Sequence, residues 1–241
     1  EEIADDLALR EVDEFLGPAP DGLDIPDDAE VECLAIQTLA AVTHKGDQDA
    51  IDQMKARLEF QDARVRAAAV KALGAISERG DDGVVASVRA CLEDQDPQVR
   101  LASVLALSHV APHGDESTMV LVLAWLADAG EDGERAAVLL GALANVSKRG
   151  DERTQTAVLE RVDHSDYRLR LAATQSMDEA FERGDERAVV ASLDRATDLN
   201  AGVRYASITS MRDVAHFDDQ RVFEALNELL KDEEPWIYWA A

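Results

Sequence analysis

The chain has 241 residues, 46% of them apolar and 5% aromatic, so it contains enough apolar material for a buried core. Alanine, valine and leucine dominate the apolar positions, which favours closely packed helices over a sheet sandwich. The net charge of −26 excludes nucleic acid as an expected partner, because a negative field repels phosphate backbones.

Residues 1–27 precede the regular part of the chain and are predicted to form an N-terminal cap helix followed by an acidic linker. An amphipathic pattern runs through Ile3, Leu7, Val12, Phe15 and Leu16, and it ends at the break Gly17-Pro18-Ala19-Pro20. The chain starts without methionine, which is compatible with loss of a targeting segment. We expect an intracellular, reducing location, with a plastid or mitochondrion as the alternative.

The main feature of the sequence is an internal repeat marked by the dipeptide Gly-Asp. The glycines are Gly46, Gly80, Gly114, Gly150 and Gly184, so the copies lie about 34 residues apart. A second marker, Val-Arg or Leu-Arg, begins 15 residues before the Gly-Asp dipeptide, at Val65, Val99, Leu169 and Val203. Two markers in one phase indicate a tandem array over residues 28–241, with repeats starting near 28, 62, 96, 131, 166 and 200 and a partial seventh from 234.

Apolar residues recur at helical spacing on both sides of each Gly-Asp dipeptide. Val65, Ala69, Leu73 and Ile76 mark one face of a first helix, and Val84 and Val88 belong to a second helix after the turn. Each repeat is therefore predicted to be a helical hairpin. The predicted fold is an all-α solenoid, or superhelix, of about six 34-residue hairpins.

The turn residues and the nearby charges have structural roles in this interpretation. The glycine is expected to close the first helix in a left-handed conformation, with a basic residue such as Lys45 or Arg79 in the last turn of that helix. The aspartates are expected to cap the second helices and not to act in catalysis. These predicted caps are Asp47, Asp81, Asp115, Asp151 and Asp185.

A carboxylate lies four residues before each of three marker arginines. The predicted pairs are Asp62 with Arg66, Asp96 with Arg100 and Asp166 with Arg170. We expect them to form a ladder of ion pairs between neighbouring repeats, which sets the stacking register more than it adds stability.

The pattern Asp-x-x-Val-Arg-x-x-Ala-x-x-Ala-Leu, followed by Gly-Asp, resembles the short HEAT-like repeats of the phycobilisome-lyase type. The resemblance covers roughly residues 28–241, and the close similarity between copies is similar to tandem arrays of unicellular algae. It implies a solenoid with a curved binding surface. The tetratricopeptide and ankyrin signatures are absent from the sequence.

The array departs from its own pattern between repeats three and four. Two extra residues in the loop 128–134 and the loss of the Val-Arg marker predict irregular stacking and a bend. The helix before this loop is apolar on more than one face, which is typical of a helix that is deeply buried or docked. Its candidate partner-binding residues are Met119, Leu121, Leu123 and Trp125; local packing is the alternative for Trp125.

The last residues form a second candidate surface, with Trp236, Tyr238 and Trp239 at positions that are polar or small in earlier repeats. We expect this segment to open a seventh first helix. Its aromatic side chains would then be covered by further chain or by another subunit. The alternative is that they fold back as a cap on repeat six.

The sequence contains no motif for catalysis, a metal or a cofactor. None of the five histidines is followed by glutamate, so the His-Glu pairs of the HEAT-like metalloenzyme deoxyhypusine hydroxylase are missing. The two thiols, Cys33 and Cys91, are expected to be reduced core residues. No apolar run is long enough to enter a membrane directly.

We therefore expect a non-catalytic interaction scaffold, or an accessory or assembly subunit of a larger complex. It would present an acidic curved surface to protein partners, including partners with basic surfaces. The alternative function, implied by the resemblance alone, is a bilin-lyase-like enzyme subunit. The acidity has a separate explanation in adaptation to a high-salt cytoplasm.

Overall fold

The computed structural model describes residues 27–130 and 132–240, so the predicted cap helix in residues 1–27 lies almost entirely outside the described residues. Every regular element in these ranges is helical, which confirms the predicted all-α solenoid. The α-helices are α1 Asp28–Val42, α2 Gln48–Arg57, α3 Ala63–Ile76, α4 Asp82–Ala90, α5 Pro97–Val110, α6 Glu116–Asp128, α7 Gly133–Val146, α8 Glu152–Val162, α9 Tyr167–Gln175, α10 Met177–Ala180, α11 Glu186–Arg195, α12 Ala201–Val214, α13 Gln220–Leu229 and α14 Pro235–Tyr238.

Consecutive α-helices pair into antiparallel hairpins that stack side by side. The first helices of the six hairpins are α1, α3, α5, α7, the broken helix α9–α10, and α12; α14 occupies the next first-helix position. The marker residues Val65, Val99, Leu169 and Val203 are all buried between helices. Most first helices pack more closely against each other than the second helices do. The first helices therefore line the inner side of the curve.

The Gly-Asp turns have the predicted conformations, although they lie farther from the first helix than expected. All five glycines have φ between 76° and 88°, and each following aspartate accepts a hydrogen bond from a backbone N–H in the first turn of the second helix. Asp47, Asp81, Asp115, Asp151 and Asp185 are thus N-caps. However, α3 ends at Ile76, four residues before Gly80, so the glycine does not close that helix.

The glycine instead connects its turn to the next repeat. The N–H of Gly80 donates to the last helical carbonyl of α5, that of Val110, and the other four glycines make the equivalent bond at 2.6–3.0 Å. The last carbonyls of a helix lack partners within that helix, so these bonds satisfy them from outside. The basic residues were also misplaced: Arg79 follows α3, and its guanidinium donates to the carbonyls of Ser108 and Ala111 at the end of α5.

Two alanine substitutions test the role of backbone conformation in these turns. Gly80→Ala keeps the N–H donor but requires a left-handed alanine, so we expect the free energy of unfolding to fall by about 1–2 kcal/mol. Gly141→Ala is the matched control within α7, where an added Cβ meets no atom within 4 Å. It should raise stability by about 0.5–1 kcal/mol. Urea denaturation of both variants measures this; equal effects would contradict the assignment.

The ion-pair ladder exists, but the predicted pairing within one helix is wrong. Asp62, Asp96 and Asp166 are N-caps of the first helices, whereas Arg66 forms a bidentate pair with Asp94, 28 residues later. Arg170 pairs with Asp198 in the same way, and Arg204 pairs with Asp232. A residue one turn along the helix points past the arginine, because the carboxylate is already occupied by cap hydrogen bonds. Arg100 has no such partner among the described residues.

Candidate binding surface

Helix α6 contains the predicted partner-binding residues, and the structure separates them into core and surface positions. Met119 is only 2% exposed and packs against Ala111 and Val146, so it is a core residue and not a docking residue. Leu121, Leu123 and Trp125 are partly buried. The sequence interpretation did not include Val120, which is half-exposed on the outer side of α6. Its spacing from Leu123, three residues later, was the available signal.

A groove of about 790 Å³ lies at the irregular junction of repeats three and four, and we call it the junction groove. This volume is within the range of sites that bind ligands or anchoring side chains. The two extra residues of the loop keep α5 and α7 farther apart than most neighbouring first helices. The apolar part of the groove consists of Leu101, Leu105, Trp125 and Val138. Charged groups around it are Arg100, Arg135, Asp128, Asp132 and Glu134.

Arg135 is an arginine at a position where other repeats have a buried aliphatic residue. It follows its N-cap Asp132 by three residues, as Val65 follows Asp62. Its guanidinium lies 4.9 Å from the centre of the Trp125 ring, in a cation–π arrangement. The Nη2 atom is 3.5 Å from Asp128, and the buried Nε has no hydrogen-bond partner among the described residues. This substitution explains the loss of the Val-Arg marker.

The C-terminal aromatic residues lie at the far end of the array. Ile237 is buried, whereas Trp236 and Tyr238 are partly exposed and Trp239 is 82% exposed. The Trp236 ring contacts Tyr205 with a centroid separation of 5.2 Å. The aromatic rings therefore remain accessible among the described residues and do not form a closed cap on repeat six.

Negative charge is unevenly distributed over the array. Helices α3, α5 and α9 on the inner side contain no acidic residue. The exposed polar residues of α3 and α5 include Arg64, Lys71, Gln98 and His109. Acidic residues are concentrated in the turns and in second helices such as α2 and α13. The prediction of an acidic curved surface therefore applies to the turns and the outer side.

The described residues contain no cluster of three or more His, Cys, Asp or Glu arranged to hold a metal ion. Burial raises the pKa of both thiols, Cys33 and Cys91, which disfavours the reactive thiolate form. Burial also lowers the pKa of His109, assisted by the charges of Arg79 and Lys45. No helix among the described residues has the length and hydropathy required to span a bilayer.

Comparison with known proteins identifies the repeat class. A family model described as HEAT repeats matches residues 22–108. The archaeal HEAT-like repeats protein from Thermococcus onnurineus aligns with a TM-score of 0.51 at 13% identity, covering 90% of this chain and 95% of that protein. The chain has the fold of a HEAT-like repeat protein. A search of curated protein sequences found no match.

Two enzymes also resemble this HEAT-like array, at lower TM-scores. The complex of CpcE and CpcF of phycocyanin lyase from Nostoc sp. aligns with a TM-score of 0.48 at 17% identity, covering 93% of this chain and 96% of that one. Human deoxyhypusine hydroxylase aligns with a TM-score of 0.41 at 19% identity, covering 89% and 77%. The narrower resemblance to phycobilisome-lyase repeats remains a prediction.

Proposed function

We propose that this HEAT-like array is a non-catalytic interaction scaffold, acting as an accessory or assembly subunit, and that the junction groove anchors its protein partner. The observation that carries the proposal is the combination of Trp125 and the groove. The groove interrupts an otherwise regular array, and its aromatic side chain is partly exposed beside two arginines. Tryptophan and arginine are the residue types that most often dominate binding energy at protein interfaces.

The acidic turns support the proposal in a second way. They attract partners with basic surfaces over distances of about 10 Å at 0.1 M salt, whereas the acid-poor inner helices make apolar contact possible. Long-range attraction and short-range anchoring would thus come from different parts of the molecule. The C-terminal aromatic residues Trp236, Tyr238 and Trp239 are proposed as a second docking surface in the same assembly.

Trp125→Ala tests the anchor. We expect at least about a tenfold loss of partner retention because a buried interface aromatic contributes roughly 2 kcal/mol or more. The unfolding free energy should change less than the roughly 3–5 kcal/mol typical of a core aromatic. The measurement compares affinity capture from native extract, with mass spectrometry, against chemical denaturation of the same variant.

The control bait is Val214→Ala, which removes buried apolar volume in repeat six, far from the groove. It should lower stability without releasing the partner. If both variants lose the same proteins, or if Trp125→Ala unfolds the array while retained partners are unchanged, the groove is not the anchor.

The alternative of a bilin-lyase-like subunit rests on repeat class. Absorbance of the purified chain after incubation with bilin distinguishes the two functions, because a covalent or tight coloured product would require the enzyme interpretation.

A further inference from the structure

Three arginines of the array bind a carboxylate with the same edge of the guanidinium group. In Arg66, Nη1 donates to the carbonyls of Phe60 and Gln61, while Nε and Nη2 donate to the Asp94 carboxylate at 2.7 and 2.8 Å. Arg170 and Arg204 repeat this arrangement with Asp198 and Asp232. The two carbonyl bonds orient the guanidinium, so the Nε–Nη2 edge faces a defined place in each repeat.

Arg100 has the same anchor but a different surrounding. Its Nη1 donates to the carbonyls of Asp94 and Gln95 at 2.8 and 2.9 Å, as in the other rungs. The carboxylates of the complete rungs stand two residues before the next N-cap; at the junction this position, before Asp132, is Gly130. No described carboxylate lies within 4 Å of Arg100, and its side chain lines the junction groove.

A second guanidinium at the groove is also incompletely paired. The Nε atom of Arg135 is buried without a hydrogen-bond partner, and the group covers Trp125. A buried donor left unpaired is unfavourable, so a ligand that supplies an acceptor gains more there than at an exposed arginine. Both arginines therefore favour a negatively charged group beside the apolar surface of Trp125, Leu101 and Leu105.

We propose that the junction groove binds a peptide segment of a partner protein in which one acidic side chain lies close to a large apolar side chain. This inference rests on the scaffold function proposed above. The carboxylate replaces the missing rung on the Nε–Nη2 edge of Arg100, and the apolar side chain packs against Trp125, Leu101 and Leu105.

The rest of the segment has to be neutral or basic. The chain has a net charge of −26, and Asp128 and Glu134 stand at the groove, so further acidic side chains would be repelled. Asp132 is already the N-cap of α7. A single carboxylate in a basic context combines attraction to the acidic turns with a bidentate contact inside the groove.

The probes are two amidated, N-acetylated heptapeptides, Lys-Ala-Leu-Glu-Ala-Phe-Lys and its counterpart with Gln in place of Glu. Their affinities are measured by fluorescence anisotropy for the wild type, Arg100→Lys and Arg66→Lys. Arg66→Lys is the matched control, because the same array position loses its fork where Asp94 already occupies it. Thermal melts of both variants monitor folding, and the indole N–H signal of Trp125, assigned with Trp125→Phe, reports the place of binding.

We expect the wild type to bind the Glu peptide about tenfold more tightly than the Gln peptide, since hydrogen bonds to charged groups contribute about this much. Arg100→Lys should remove this preference, whereas Arg66→Lys should keep it despite lower stability. Equal binding of both peptides, binding of neither, or a preference that survives in Arg100→Lys would overturn the proposal.

Glu131 lies outside the described residues, and Glu131→Gln completes the set. A preference for Glu that emerges only in this variant would place a carboxylate of the chain itself on Arg100 and would also overturn the proposal. The scaffold function is tested separately: Trp125-dependent partner capture together with additive peptide effects would retain the scaffold and reject only the carboxylate contact.

Discussion

Replacing Asp198 with alanine is expected to lower the free energy of unfolding by about 3–5 kcal/mol, because it leaves a partly buried arginine without its carboxylate. The Asp198 side chain is 3% exposed. Its carboxylate accepts hydrogen bonds from Nε and Nη2 of Arg170 and from the N–H of Asn200. Nη1 of Arg195 lies 3.5 Å away. The substitution thus removes partners from the first helix of repeat five, from α11 and from the following loop.

The matched control is Asp163→Ala, which removes the other carboxylate of Arg195. Asp163 is 77% exposed, so its ion pair should contribute no more than about 1 kcal/mol. Urea denaturation of both variants gives the comparison. Similar losses in the two would show that burial does not distinguish the rungs, and a loss below about 1 kcal/mol for Asp198→Ala would remove the ladder as a stabilising element.

The pH dependence of the same variant provides an independent check. Burial raises the pKa of Asp198, but hydrogen bonds from Arg170 and Asn200 and the charge of Arg195 outweigh it, so the folded pKa lies below the ordinary value. The contribution is therefore present above the unfolded pKa of about 3.9 and is lost as pH falls through the folded pKa. The stability difference between wild type and Asp198→Ala should be constant from pH 7 to 5 and shrink below pH 4.

The ladder shows why part of the fold was accessible from sequence and part was not. The hairpin period and the turn caps depend on residues close together in the chain, and local spacing predicted them. The partner of Arg66 lies 28 residues away, beyond any rule for one helix. A signal nevertheless existed, because Asp94, Asp198 and Asp232 each follow a marker arginine by the same distance.

The junction groove was only partly predictable for a different reason. The extra loop residues and the missing marker predicted irregular stacking, and Trp125 was a candidate. The stacking of Arg135 on Trp125 depends on how repeats three and four rotate relative to each other, which the local pattern does not encode. Met119 was misjudged because a helix that is apolar all round does not reveal which face its neighbours cover.

Repeat five contains a break that makes a second large effect predictable. Its first helix is interrupted at Ser176, whose hydroxyl donates to the carbonyl of Ala172, a bond that bends helices. The residue after this broken helix is Phe181. The corresponding residue in the other four complete turns after α3, α5, α7 and α12 is serine or alanine. Phe181 is 1% exposed and belongs to the main core, so its ring fills space that the regular repeats do not have.

Phe181→Ala should therefore lower the free energy of unfolding by about 3–5 kcal/mol, although alanine is the ordinary residue at this place in the array. Phe217→Ala is the matched control: Phe217 is 84% exposed and lies under the guanidinium of Arg183 at 4.8 Å. Its loss should remain below about 1 kcal/mol, because an exposed cation–π contact contributes little. Chemical denaturation of both variants decides between the two sites. If Phe181→Ala is as mild as Phe217→Ala, the broken helix closes over the vacated volume, and the bend at Ser176 is not held open by the ring.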